Sequence, residues 1–310
     1  MSARREPLPP AGQGAVALPA AAARTGLLRL CASLFKLRIG FAIVLSALAG
    51  AILAAGDWPA GGDTLLLGLA VLLSASGAAG CNHYFERDID ARMRRTRSRP
   101  FVSGQLDANA AWPALFGLMM LAGGALAAWR FGWASGLFVL AGALTYSVVY
   151  TLWLKRRTHW NIVIGGLSGS WAVLAGATAF DGGMSPAVLV LATVLFLWTP
   201  SHFWSLAIAL VEDYRRAGVP MLPVVRGVGI ASRWALINAV LLAGSALLLA
   251  ALLGNAFVWI GALLGGGWLC HTHRRLVRRP TPPVAMTAFR ASLIQLGLLF
   301  AGLFIAYGMT

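Results

Sequence analysis

Asn82-His83-Tyr84-Phe85-Glu86-Arg87-Asp88-Ile89-Asp90 follows directly on an apolar run and continues into Ala91-Arg92-Met93-Arg94-Arg95-Thr96-Arg97-Ser98-Arg99-Pro100. Carboxylates and arginines are thereby pinned to the end of a buried helix, a placement that costs free energy in apolar surroundings and implies a role. If the stretch is helical, each step of four residues advances about 40°, so Asn82, Glu86 and Asp90 share one face. Asp88 points elsewhere.

The rest of the chain gives that helix its surroundings. The 310 residues are 59% hydrophobic and 11% charged, and a soluble domain carries about twice that charged fraction. The composition therefore predicts an all-α polytopic membrane bundle, one domain over residues 25–310. Residues 1–24, rich in Ala, Pro, Gly and Arg, read as a disordered tail without the apolar core of a signal peptide. Lys and Arg number 25 against 10 Asp and Glu, a net charge of +15. These cations lie between apolar runs rather than on a soluble module, which excludes nucleic acid as the partner and favours lipid and an anionic substrate. Cys31, Cys81 and Cys270 have no metal-ligand spacing and predict no disulfide framework.

Gly26 to Arg38 mixes apolar and basic residues at helical spacing, as an interfacial helix does. Apolar runs follow near 40–55, 64–82, 110–128, 133–153, 161–179, 186–210, 234–253, 256–270 and 288–308, so nine spans are expected. Nine spans divide the loops into two sets, and 24 of the 25 Lys and Arg fall in one of them. Arg130 falls in the other, with Asp57, Asp63 and Asp181. The positive-inside rule then places the N-terminus and the long loops in the cytoplasm and the C-terminus across the membrane, with the active-site cavity opening on the cytoplasmic face.

The sixth run ends in Glu212-Asp213-Tyr214-Arg215-Arg216, four spans after the run that ends at Asn82. Both acidic ends should emerge on one face, as in a parallel repeat. Oxygen ligands at four-residue spacing suit Mg²⁺, which binds through a few carboxylates plus substrate phosphates. A solvated loop of mixed charge is the plain alternative. Arg92, Arg94, Arg95, Arg97 and Arg99 serve either as topology anchors or as bidentate grips on phosphate, and spacing does not say which. Lys155, after Tyr146 and Tyr150, is likewise an anchor or a phosphate donor. His202 lies eleven residues before Asp213, about 20° off the same helical face.

Taken together these residues resemble the UbiA superfamily of intramembrane prenyltransferases, with Asn82-x3-Glu86-x3-Asp90 as the first acidic motif. The similarity is greatest to the haem O synthase (protohaem IX farnesyltransferase) branch. It is carried by Glu86 to Pro100, Tyr150-Thr151-x2-Leu154-Lys155-Arg156, Asn161 to Gly166, Pro200-x-His202-Phe203-Trp204 and Asp213 to Val225. Three departures stand out: Glu86 in place of aspartate, Ala209 four residues before Asp213, and Ser170-Trp171-Ala172-Val173-Leu174-Ala175-Gly176 where a Pro-Pro pair is expected.

The resemblance implies nine helices and transfer of a farnesyl group from farnesyl diphosphate to a vinyl group of haem B. Mg²⁺ would be held by Asn82, Glu86, Asp90 and Asp213. Arg95, Arg99 and Lys155 would grip diphosphate, and Tyr146 and Tyr150 would face the allylic cation. Asp88 would orient a donor, bind a second arginine or handle protons, and His202 would touch the acceptor. The setting would be a bacterial inner membrane, with haem A synthase or oxidase assembly proteins as partners. Prenylation of a quinone precursor keeps the same diphosphate site. A transporter or non-catalytic assembly factor is the reading from another class, and the gathering of charge at one membrane face rather than at the midplane speaks against it.

Overall fold

The computed structural model describes residues 20–180 and 183–309, so most of the stretch read as a tail, and Asp181, lie outside the described residues. Among the described residues there is no strand. Helix α1 (Ala20–Leu34) starts inside the stretch read as tail and exposes Leu27 and Leu28. Its last residue, Leu34, is buried with Cys81, Phe101 and Phe116. Lys36 then turns the chain into α2 (Leu37–Ala55) through a left-handed backbone, φ 47° and ψ 45°. It is the one non-glycine residue with positive φ among those described. Such a conformation is uncommon outside Gly, Asn and Asp.

Helix α3 (Gly61–Phe85) leads into a single-turn helix α4 (Arg87–Arg92). Helix α5 (Ala111–Phe131) returns, and α6 (Trp133–Leu144) runs without interruption into a π-helix over Thr145–Leu154. The short α7 (Asn161–Gly165) and α8 (Leu167–Ala177) are followed by α9 (Pro186–Ala209), α10 (Val211–Arg216) and α11 (Leu222–Arg226). Three long helices complete the bundle: α12 (Val228–Leu253), α13 (Ala256–Arg278) and α14 (Pro282–Gly308).

Among the described residues, seven helices are long and apolar enough to cross a membrane. The two expected spans that differ have visible causes. Residues 161–177 break at Gly166 into α7 and α8, and α13 ends in His271, His273, Arg274, Arg275 and Arg278.

Small residues set the helix spacing. Where α2 crosses α8, a Cβ added at Gly176 would fall 1.7 Å from the Ala47 carbonyl oxygen, and one at Gly50 would fall 2.0 Å from that of Val173. Backbones this close exploit dispersion, the term that holds helices together where lipid competes for apolar surface. At one end of the bundle, Ile89 and Met93 share a buried cluster with Tyr214, Ala217 and Val219. The two acidic segments therefore meet at the same end, as their spacing predicts.

Candidate active site

Glu86 interrupts the helix, with φ −96° and ψ 6°, yet the four-residue step carries across it. The Glu86 N–H donates to the Asn82 carbonyl at 3.1 Å, and the Asp90 N–H to that of Glu86 at 2.8 Å. Asn82, Glu86 and Asp90 are all buried, and each meets a cation. Lys36 Nζ donates to Asn82 Oδ1 at 2.5 Å. Lys155 Nζ reaches both carboxylate oxygens of Glu86 at 2.6 Å. Arg99 bonds Asp90 Oδ2 at 2.6 Å and lies 3.9 Å from Glu86. Buried charges persist only when paired and hydrogen-bonded. Burial holds Asp90 above the ordinary carboxylate range against the pull of Arg99. It also draws Lys36 well below the usual lysine value, with Arg99 adding to the effect. Two carboxylates facing three cations leave a positive surplus suited to a polyanionic substrate.

The π-helix explains how Lys155 reaches this group. In an α-helix Tyr146 and Lys155, nine residues apart, would stand about two and a half turns apart and on opposite faces. Hydrogen bonds from i to i+5 widen the turn. One such link is the Lys155 N–H to the Tyr150 carbonyl at 2.9 Å, and the Thr151 side-chain hydroxyl also donates to the Tyr146 carbonyl at 2.9 Å. Tyr146, Tyr150, Thr151 and Lys155 then converge on α3. Asn82 Nδ2 donates to Thr151 Oγ1 at 3.1 Å, and Lys36 donates to the Tyr146 hydroxyl at 3.1 Å. The two tyrosine rings stack at 5.7 Å between centroids. Lys36 stands 5.6 Å from the Tyr146 centroid and Lys155 5.5 Å from that of Tyr150. These rings can therefore face a cation.

Other expected residues sit apart from this group. Asp88 is half exposed and forms a bidentate pair with Arg156, both bonds 2.7 Å, while Arg156 also donates to the Phe85 carbonyl. It touches none of the buried polar group, and its pair with Arg156 ties the corner between α3 and α4 to the loop that begins at Lys155. The Arg156 guanidinium holds the Asp88 carboxyl below its ordinary range. Arg99, not Arg95, enters the buried group; Arg95 is exposed. Asp213 is buried but pairs with Arg216 in its own turn. His202 is packed between α9 and α14, its Nδ1 2.7 Å from Ser292 Oγ.

Lys36 escaped the sequence reading. It is one basic residue among several before the first span, and its partners lie 46 and 110 positions away. Only the left-handed turn at its own backbone aims it inward, and a lysine gives no sequence signal for such a turn.

Among the described residues, no group of three or more His, Cys, Asp or Glu side chains is close enough to enclose a metal. The four expected metal ligands therefore do not close around one point. The donors are nevertheless hard oxygens, Asn82 Oδ1 and the carboxylates of Glu86 and Asp90. That set fits an ion such as Mg²⁺, which takes one or two carboxylates and completes its shell with water and substrate phosphate.

Residues 43–308 match the UbiA prenyltransferase family. Protoheme IX farnesyltransferase 2 of Paramagnetospirillum magneticum is 51% identical over 281 residues, covering 91% of this chain and 98% of its own. Protoheme IX farnesyltransferase 1 of Cenarchaeum symbiosum is 37% identical over 86% of this chain and 91% of its own. Among solved structures, a digeranylgeranylglyceryl phosphate synthase superposes with a TM-score of 0.75 at 16% identity, over 91% of this chain and 99% of that one. A UbiA homologue from Archaeoglobus fulgidus bound to DMAPP and Mg²⁺ gives 0.68 at 16% identity, over 90% and 100%. At such identities the fold is what is shared. With the matching residues and the bundle in agreement, the chain belongs to the UbiA prenyltransferase family.

Proposed function

We propose that this protein transfers the farnesyl group of farnesyl diphosphate to a vinyl group of haem B in an Mg²⁺-dependent reaction that yields haem O. The observation that carries the reading is the buried face of Asn82, Glu86 and Asp90, ringed by Lys36, Lys155 and Arg99. The 51% identity to a protoheme IX farnesyltransferase supports the choice of acceptor.

The barrier is departure of diphosphate from an allylic carbon. Mg²⁺ would be held by Asn82, Glu86 and Asp90, with water and substrate phosphate completing its shell, and would supply charge neutralisation for that leaving group; Asp213 would join it only on releasing Arg216. Lys36 turns from the Asn82 amide oxygen, and Lys155 and Arg99 from their carboxylates, to the phosphoryl oxygens, adding donors where negative charge grows, and Arg95 contributes from the rim. Tyr146 and Tyr150 present their faces to the farnesyl cation and shield it from water. The vinyl group then forms the new carbon–carbon bond. Water captures the resulting cation and releases a proton, so the product is heavier than haem B by a farnesyl group plus a hydroxyl.

In this reading α7–α8 and α13 complete nine spans, and the basic loops and N-terminus face the cytoplasm of a bacterial inner membrane, where the cavity opens. Haem A synthase or oxidase assembly proteins receive the product.

The test is a detergent assay with farnesyl diphosphate, Mg²⁺ and haem B, followed by mass analysis of the extracted pigment. The expected product disappears on chelation and in Asp90→Ala. Folded protein that leaves haem B unmodified refutes the acceptor, and modification of a quinone precursor under the same conditions would replace it.

A further inference from the structure

His202 has only one edge of its ring left to use. Trp198 stacks on the imidazole at 4.1 Å between centroids with planes 19° apart, and Phe289 lies at 4.3 Å and 32°. Both come close to its faces, so what the ring can offer lies in its own plane. On one edge Nδ1 is 2.7 Å from Ser292 Oγ. Ser292 Oγ in turn donates its single proton to the Phe289 carbonyl at 2.7 Å. With that proton spent, Ser292 accepts, so Nδ1 carries the ring hydrogen and Nε2 keeps its lone pair. Among the described residues Nε2 has no hydrogen-bond partner, and it is not one of the sealed, unpartnered polar atoms of the interior. A neutral imidazole whose far nitrogen is tied to an oxygen acceptor is the arrangement found in metal-ligating histidines.

One neighbour links the His202 ring to the elements of the proposed site. Phe203 meets the His202 ring edge-on at 5.1 Å and packs in the same cluster as Tyr150. Of the other two buried histidines, His273 has both ring nitrogens bonded, and His83, whose Nδ1 is sealed without a partner, stands at the diphosphate end. His273 has Nε2 on Ser205 and Nδ1 on the Leu269 carbonyl. His83 adjoins Asn82 and lies in the field of Lys36 and Arg99, where diphosphate belongs.

We infer that His202 Nε2 ligates the iron of the acceptor haem, fixing the porphyrin so that a vinyl group faces the farnesyl carbon. This rests on haem B being the acceptor. It also makes recognition depend on the iron, a preference that an apolar pocket alone does not provide.

The experiment titrates ferric haem and metal-free protoporphyrin IX into wild-type protein, His202→Ala, His202→Gln and Ser292→Ala, reading Soret absorption and electron paramagnetic resonance. His202→Gln keeps a polar group toward Ser292 while removing the imidazole, which separates loss of ligation from loss of packing. Expected are a histidine-ligated iron spectrum in wild type, its loss in both His202 variants and its return with added imidazole in His202→Ala. Haem affinity should fall roughly 10-fold in Ser292→Ala, while metal-free porphyrin binds all four proteins alike. Identical iron spectra in wild type and folded His202→Gln overturn the inference. If wild type still farnesylates haem in that event, the proposed function stands. Histidine-ligated haem that is never farnesylated leaves the inference standing and sinks the function instead.

Discussion

Removing Lys155 exposes how the site is held before substrate arrives. In Lys155→Met the stem survives while Glu86, 1% exposed, loses the ammonium that bonds both of its oxygens at 2.6 Å. Breaking a buried pair by deleting one partner costs about 3–5 kcal/mol, because the other charge stays buried. Arg99, already 3.9 Å from Glu86, offers partial compensation, so the lower end, about 3 kcal/mol, is expected. At roughly 2 °C per kcal/mol for a chain of this size, the apparent melting temperature in detergent drops by about 6 °C. Mg²⁺ alone should then stabilise the variant more than wild type, because Glu86 no longer has its ammonium partner, whereas the further gain from a non-hydrolysable farnesyl diphosphate analogue should be smaller, since a phosphate donor has been lost. Adding Glu86→Gln to the variant should restore most of the loss without ligand. A Lys155→Met protein that melts with wild type, and gains no more than wild type from Mg²⁺ alone, would refute the assignment of Lys155 as the resting counter-ion of Glu86.

Three further outcomes come from the same geometry. Lys36→Met should raise the KM for farnesyl diphosphate about 10-fold, the worth of one charged hydrogen bond, and Lys36→Gly should do the same while relaxing the left-handed turn; steady-state kinetics decide. Asp88→Asn should lower kcat about 2- to 5-fold with apparent Mg²⁺ affinity unchanged, since the half-exposed pair with Arg156 is worth at most about 1 kcal/mol. Because Arg156 depresses the folded-state pKa of Asp88, that pair contributes fully above the unfolded carboxylate range and is lost only as pH falls below about 4, visible as an acid limb of melting temperature absent from the variant. Gly176→Ala should cost about 1–3 kcal/mol or prevent folding, as its Cβ meets the Ala47 carbonyl, which thermal unfolding in detergent would register.

What the sequence reveals and what it withholds differ for physical reasons. Asn82, Glu86 and Asp90 are legible because their spacing is a local helical rule, and it survives the break at Glu86. The seven apolar helices are legible because lipid imposes length and composition together. The meeting of the two acidic segments comes from counting spans, and Ile89 and Tyr214 make the contact. The choice of Arg99 over Arg95 depends on how the chain turns between Met93 and Pro100, which composition does not encode. Asp213 is buried, and its partner is Arg216 in its own turn, a contact that an angular argument does not supply. Lys36 and the π-helix were out of reach altogether, because one depends on a single backbone dihedral and the other on a hydrogen-bond register that identical residues adopt in either form.

That register has a genetic corollary. A π-helical segment accommodates surplus residues relative to an α-helix of the same reach, so the stretch from Thr145 to Leu154 behaves as a lodged insertion. Closing the α-helical ladder over all ten residues would leave Lys155 on the face opposite Tyr146, away from Glu86, with no catalytic side chain altered. Deleting one residue among Ser147, Val148 and Val149 would cut that offset to about 80° in an α-helix, so a single deletion here is expected to be better tolerated than an insertion, which would add to the surplus.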